Sequence, residues 1–128
     1  MIAKNIIGDD ESAIVIFTDG TNLKIFDGGF ATTGDWIIDK NLLVDKAIIY
    51  KRDKVTNRTE IFLGKPLDVF PSKNFRRYVV RLSDLSFVGT TENNWREFTE
   101  SKKGATNPIK YINKNNSKTN RNSLFNLS

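Results

Sequence analysis

Read for apolar and polar positions alone, the chain is a succession of short strands separated by turn chemistry. Ser12–Thr18 (SAIVIFT) is an apolar, β-branched run, and Asn22–Phe26 (NLKIF) alternates apolar with polar. Asp19-Gly20 lies between them, and glycine enters positive φ without steric cost, so the two runs predict a hairpin. Asp27-Gly28-Gly29 closes it and leads into residues 30–45, where Thr33 or Asp35 can cap a short helix and extended chain fits equally well. Lys46–Arg52 (KAIIYKR) and Glu60–Gly64 (EIFLG) predict a second hairpin across the polar loop 53–59. Lys65-Pro66 and Phe70-Pro71 punctuate the next connection, because proline removes a ladder donor and restricts the residue before it. Arg77–Leu82 (RYVVRL) and Leu85–Val88 (LSFV) are two further strands, with a bend at Ser83-Asp84. Thr90 or Thr91 is placed to cap a short helix over Glu92–Glu100, with Trp95, Phe98 and Thr99 on one face and Lys102-Lys103-Gly104 ending it.

Five to seven strands without regularly alternating helices argue against a parallel βαβ sheet. The expected fold class is mainly β (α+β): a small antiparallel or mixed barrel with one or two short peripheral helices, closed so that no edge is exposed. At 128 residues one domain is expected, over 1–112, followed by a basic Asn/Ser-rich tail over 113–128. No apolar stretch reaches membrane-spanning length, and the start MIAKNIIGDDESA lacks the apolar core of a signal peptide, so a soluble cytoplasmic protein is expected. The sequence holds neither Cys nor His. That removes disulfides, thiolate nucleophiles, imidazole bases and ordinary zinc sites, and no cofactor or metal is expected.

The charge is unevenly placed. Net charge is +5, yet residues 1–101 carry 14 Lys and Arg against 15 Asp and Glu, while residues 102–128 carry six basic residues and no acid. Such a segment suits phosphates or an acidic protein surface, or serves only to keep the chain solvated. Within the body, Ser72-Lys73-Asn74-Phe75-Arg76-Arg77 is the densest basic and aromatic cluster. Guanidinium forks match phosphate oxygens, and cations before an edge strand also discourage aggregation, so the cluster has two readings. Carboxylates offer little chemistry. Asp9-Asp10-Glu11 is a solvated run, and Asp35 and Asp39 beside Lys40 lack the spacing of a nuclease cluster.

Trp36, a link into Val44-Asp45-Lys46-Ala47-Ile48-Ile49-Tyr50, the apolar-Gly run Ile61–Gly64, the aromatic-rich Arg77–Leu82 and the late Asn107–Ile112 follow one another in order. Over residues 30–112 this arrangement resembles the PUA-like superfamily, in particular its EVE-type domains. The resemblance implies a small β-barrel that reads nucleic acid, with an aromatic pocket holding a flipped and in some members modified base. Trp36, Tyr50, Phe75, Tyr78, Trp95 and Tyr111 are the aromatic candidates, although Trp95 on a helix face fits a core as well as a cage. Trp36 leads them, because its polar, Gly-flanked surroundings suggest a partly exposed ring. Arg76, Arg77, Lys102, Lys103 and Lys110 are the candidates for phosphate contact. The expected function is therefore non-catalytic nucleic-acid binding, DNA in preference to RNA, without membrane association. The alternative is a small protein-interaction module, of a phage or defence-related kind, that docks its basic tail on an acidic partner.

Overall fold

The computed structural model describes residues 6–39, 41–91 and 109–113. Within them the chain is mainly β, with seven strands: β1 (Ser12–Thr18), β2 (Leu23–Phe26), β3 (Phe30–Trp36), β4 (Lys46–Asp53), β5 (Arg58–Pro71), β6 (Tyr78–Thr91) and β7 (Ile109–Asn113). They form one sheet in the order β2-β3-β6-β5-β4-β1-β7. The β1–β4 pair is parallel and the other neighbours are antiparallel.

Several expectations are corrected here. The β1 and β2 strands do not pair with each other: β1 lies between β4 and β7, and β2 pairs with β3. The Asp19-Gly20 turn exists, with Gly20 at φ 98° and the Leu23 amide donating to the Gly20 carbonyl. It links strands that stand first and sixth in the sheet order. Of the two conformations open to residues 30–36 the extended one is adopted, and the β2–β3 link is a 3-10 turn over Asp27–Gly29. The expected helix over Glu92–Glu100 and the tail 114–128 lie outside the described residues. Among the described residues no helix is long and apolar enough to cross a membrane.

The 65–71 segment, expected to be a connection, instead continues β5 through Pro66 to Pro71. The reason lies in the ladder. Among the described residues β4 pairs with β5 only over Arg58–Gly64, so beyond Gly64 β5 has a strand neighbour on one side alone, and a strand with an unpaired side tolerates proline. Likewise the bend at Ser83-Asp84 is a bulge inside one continuous β6, where Asp84 adopts φ 54°.

The sheet is not a closed barrel, since the edge strands β2 and β7 do not pair among the described residues. It is strongly curled all the same. Thr18 and Leu23 are joined by a link that can span at most about 17 Å. Their strands are five positions apart in the sheet order, roughly 24 Å in a flat sheet. Only a sheet bent back on itself reconciles the two. The β5–β6 ladder carries three register shifts, at Ile61/Phe62, Leu63/Lys65 and Pro66/Asp68, and bulges of this kind bend the strands that hold them. The inner face then packs Ile14, Ile16 and Ile49 from one half against Ala31, Val80 and Leu82 from the other. The outer face of β1, β4 and β5 holds a second cluster of Val15, Phe17, Ile48, Tyr50 and Ile61. Because both faces of β1 and β4 are buried, these strands read as unbroken apolar runs instead of alternating ones.

Candidate functional site

The long β5–β6 hairpin ends in the tip 72–77, which contains the basic and aromatic cluster. The tip is fixed internally by the Ser72 amide donating to the Arg77 carbonyl (2.9 Å) and the Arg77 amide donating to the Asn74 carbonyl (3.1 Å). The Asn74 amide also donates to Ser72 Oγ at 3.1 Å. Asp35 at the end of β3 anchors the tip to the neighbouring strand. Its carboxylate accepts from Ser72 Oγ and from Asn74 Nδ2, and its backbone carbonyl accepts from Arg77 Nη1 at 2.9 Å. The carboxylate is thus satisfied by neutral donors and does not take a guanidinium out of play. Arg76 sits at φ 64°, a left-handed conformation held by these surrounding bonds. Its guanidinium carbon lies 5.1 Å from the centroid of the Phe75 ring, and that ring is 84% exposed. Lys73, Arg76 and Arg77 are all exposed. The arrangement presents three cations and one aromatic ring to solvent on a preset backbone.

The other aromatic candidates do not converge on one pocket. Trp36 is 7% exposed, lies in the inner core, and donates its indole N–H to Thr33 Oγ1 at 2.9 Å. The expectation of a partly exposed Trp36 ring is corrected: the strand end Thr33–Trp36 turns this side chain inward, and Thr33, itself buried, supplies its polar partner. Tyr50 is 1% exposed and stacks on Phe17 in the outer cluster, with centroids 5.2 Å apart, on the opposite side of the sheet from Trp36. Tyr78 is half-buried against the inner core and stands opposite Trp36 in the β3–β6 register. Tyr111 on β7 is 52% exposed and borders a cleft of about 560 Å³ formed with Ile37, Ile38, Leu42, Leu43 and Val44. Lys110 neighbours it on β7. Trp95, Lys102 and Lys103 lie outside the described residues.

Several of the described acidic residues serve local structure. Glu11 accepts from the Gly8 amide, which holds its carboxyl below the ordinary carboxylate range, and it pairs with Lys46 at 3.2 Å. The Thr21 hydroxyl pulls Asp19 well below that range, and Lys54 lies 3.1 Å away. The Val55 amide lowers Asp53 from its ordinary value. Asp39 accepts from the Asn41 amide. Among the described residues no group of three or more acidic side chains is arranged to hold a metal ion.

A second surface adjoins the tip. Phe70, Val79, Thr32, Gly34, Lys24 and Asn22 line a groove of about 360 Å³ on the outer face of the β2-β3-β6-β5 half of the sheet, with Asp35 at its rim. Gly34 is required there, since a Cβ at this position would lie 2.7 Å from Val79 Cγ2. Sequence reasoning missed Phe70, Lys24 and the anchoring role of Asp35. Phe70-Pro71 reads as a loop when the strand around it is not foreseen, and the partners of Asp35 are far away in sequence. The spacing Ser72-x-Asn74, two short side chains able to bridge to a neighbouring strand, was the available signal.

No protein-family model matches the chain, and no curated protein or solved structure matches it either.

Proposed function

We propose that this protein is a nucleic-acid-binding module without a catalytic step, and that the tip 72–77 is its primary contact. The observation that carries this reading is the exposed Phe75 ring with the Arg76 guanidinium over it, flanked by Lys73 and Arg77 on a backbone fixed by Asp35. Cations suit phosphates, and an exposed ring beside them suits a base face. The PUA-like resemblance belongs to the same proposal: a curled, mainly β sheet with an inner core is compatible with it. Base contact moves from Trp36 and Tyr50, which are core, to the exposed rings Phe75 and Tyr111. Lys102, Lys103 and Lys110 add positive charge to phosphate binding.

The test is a titration of single- and double-stranded DNA and RNA oligonucleotides at two salt concentrations. Lys73→Ala and Arg76→Ala should weaken binding to every sequence alike, and each should lower the salt slope by about one. Arg77 is a less clean probe, because it also holds Asp35. Absence of salt-dependent binding to any oligonucleotide overturns the proposal. A protein partner is then the better reading, favoured by the exposed Ile37 and Leu43 beside Tyr111.

A further inference from the structure

We infer that the groove over Gly34 is a single-strand subsite: it takes one unpaired base against Phe70, while Lys24 meets the neighbouring phosphate. The inference rests on the nucleic-acid reading and names the ligand form that reading leaves open.

Three observations carry it. Phe70 is 43% exposed although it lies in a strand, and it stands opposite Val79 in the ladder, so it lines the groove together with Val79 and Gly34. The groove has the small-ligand scale of roughly 300–1,000 Å³ at its lower end, which suits one nucleotide and not a stacked base pair. Its polar groups are those a nucleotide needs. Lys24 is exposed on β2, and the Thr32 hydroxyl and Asn22 amide can each donate or accept toward a base edge or sugar.

The groove is also continuous with the tip. Asp35 lies on its rim and bonds to Ser72 and Asn74, so a backbone bound by Lys73 and Arg76 leads directly onto the sheet face. A strand following this route has its bases turned toward the protein, stacking on exposed rings. That is the sequence-tolerant mode of single-strand binding, whereas duplex bases are already stacked on each other. Arg81 does not compete for the phosphate, since its guanidinium forks onto Asp68 at 3.1 and 2.7 Å.

The experiment titrates the full chain with a short single-stranded oligonucleotide and with a hairpin duplex of the same sequence, monitoring thermal melting alongside. Phe70→Ala should weaken single-strand binding roughly 5- to 150-fold, the equivalent of one lost base stack, and leave duplex binding unchanged. Phe70→Trp should restore it. Lys24→Ala, at an exposed position of β2, should reduce the single-strand salt slope by about one with the melting point unchanged. If Phe70→Ala and Lys24→Ala leave single-strand affinity unchanged while Lys73→Ala and Arg76→Ala weaken it, the groove is not a subsite and the nucleic-acid reading survives. If the duplex binds as tightly as the single strand, the inference is likewise overturned. If no oligonucleotide binds, the underlying reading fails and takes the inference with it.

Discussion

Replacing Trp36 with alanine separates a core residue from a ligand-binding one. The ring is buried on the inner face, 7% exposed, among Ala31, Ile38, Val80 and Leu82. A buried Trp covers roughly 200 Å² of surface, which at about 25 cal/mol per Å² amounts to near 5 kcal/mol. Incomplete relaxation around the cavity keeps the expected loss at about 3–5 kcal/mol. For a domain of this size that corresponds to a melting point lower by roughly 10–25 °C. Thr33 also loses its donor, so Trp36→Phe, which keeps most of the ring, should still cost about 1 kcal/mol. Thermal and urea unfolding of both variants measure these losses, and a coincident set of transitions by two probes supports two-state treatment. A melting point within about 3 °C of wild type for Trp36→Ala, below 1 kcal/mol, would refute the placement of this ring in the core.

Gly34→Ala should destabilise by roughly 1–3 kcal/mol, since the new Cβ would lie 2.7 Å from Val79 Cγ2, and Val79→Ala in the same chain should recover part of the loss. A double-mutant cycle with no coupling would contradict this contact. Asp35→Ala should loosen the tip, seen as faster amide exchange at Asn74 and Arg77, while the inner core keeps its protection. Acid should destabilise the fold through Asp19, Asp53 and Glu11, whose carboxyls are held below their ordinary values. Below about pH 4 the unfolded chain takes up these protons before the folded one does, so their contribution is complete above that pH and lost as pH falls through the folded values. Melting points that stay flat between about pH 5 and pH 2 would contradict it.

What the sequence made legible was local. The run Ala13–Phe17 is β-branched and apolar, and it is a strand; Asp19-Gly20 is a turn because its glycine needs positive φ. Which strand lies beside which was not legible, because a turn specifies reversal without specifying a partner. The β1 pairings are with residues 46–51 and 109–113, partners far from it in sequence that no local signal names. Burial failed in the same way. Polar neighbours suggested an exposed Trp36, but Thr33 is one of those neighbours and is the buried hydroxyl that receives the indole N–H. Tyr50 sits in the unbroken run Ala47–Tyr50, which carries no alternation from which to assign a face. At the site, the basic tip was visible in composition, whereas Asp35 and Phe70 acquire their roles only through pairings across strands.

The position of β7 bears on how the chain behaves while it is being made. The strand Ser12–Thr18 emerges early, yet one of its two edges is covered by Ile109–Asn113, partners roughly a hundred positions later in sequence. Until those residues arrive, an apolar, β-branched strand with no proline and little charge shows a free row of amides and carbonyls, the template on which other chains pair. The hairpins β2–β3, β4–β5 and β5–β6 close over short loops and can form long before that moment. A chain stopped before Ile109 would lose a buried residue of the inner core and leave that edge of β1 open, so β7 both completes the packing and guards the edge during synthesis.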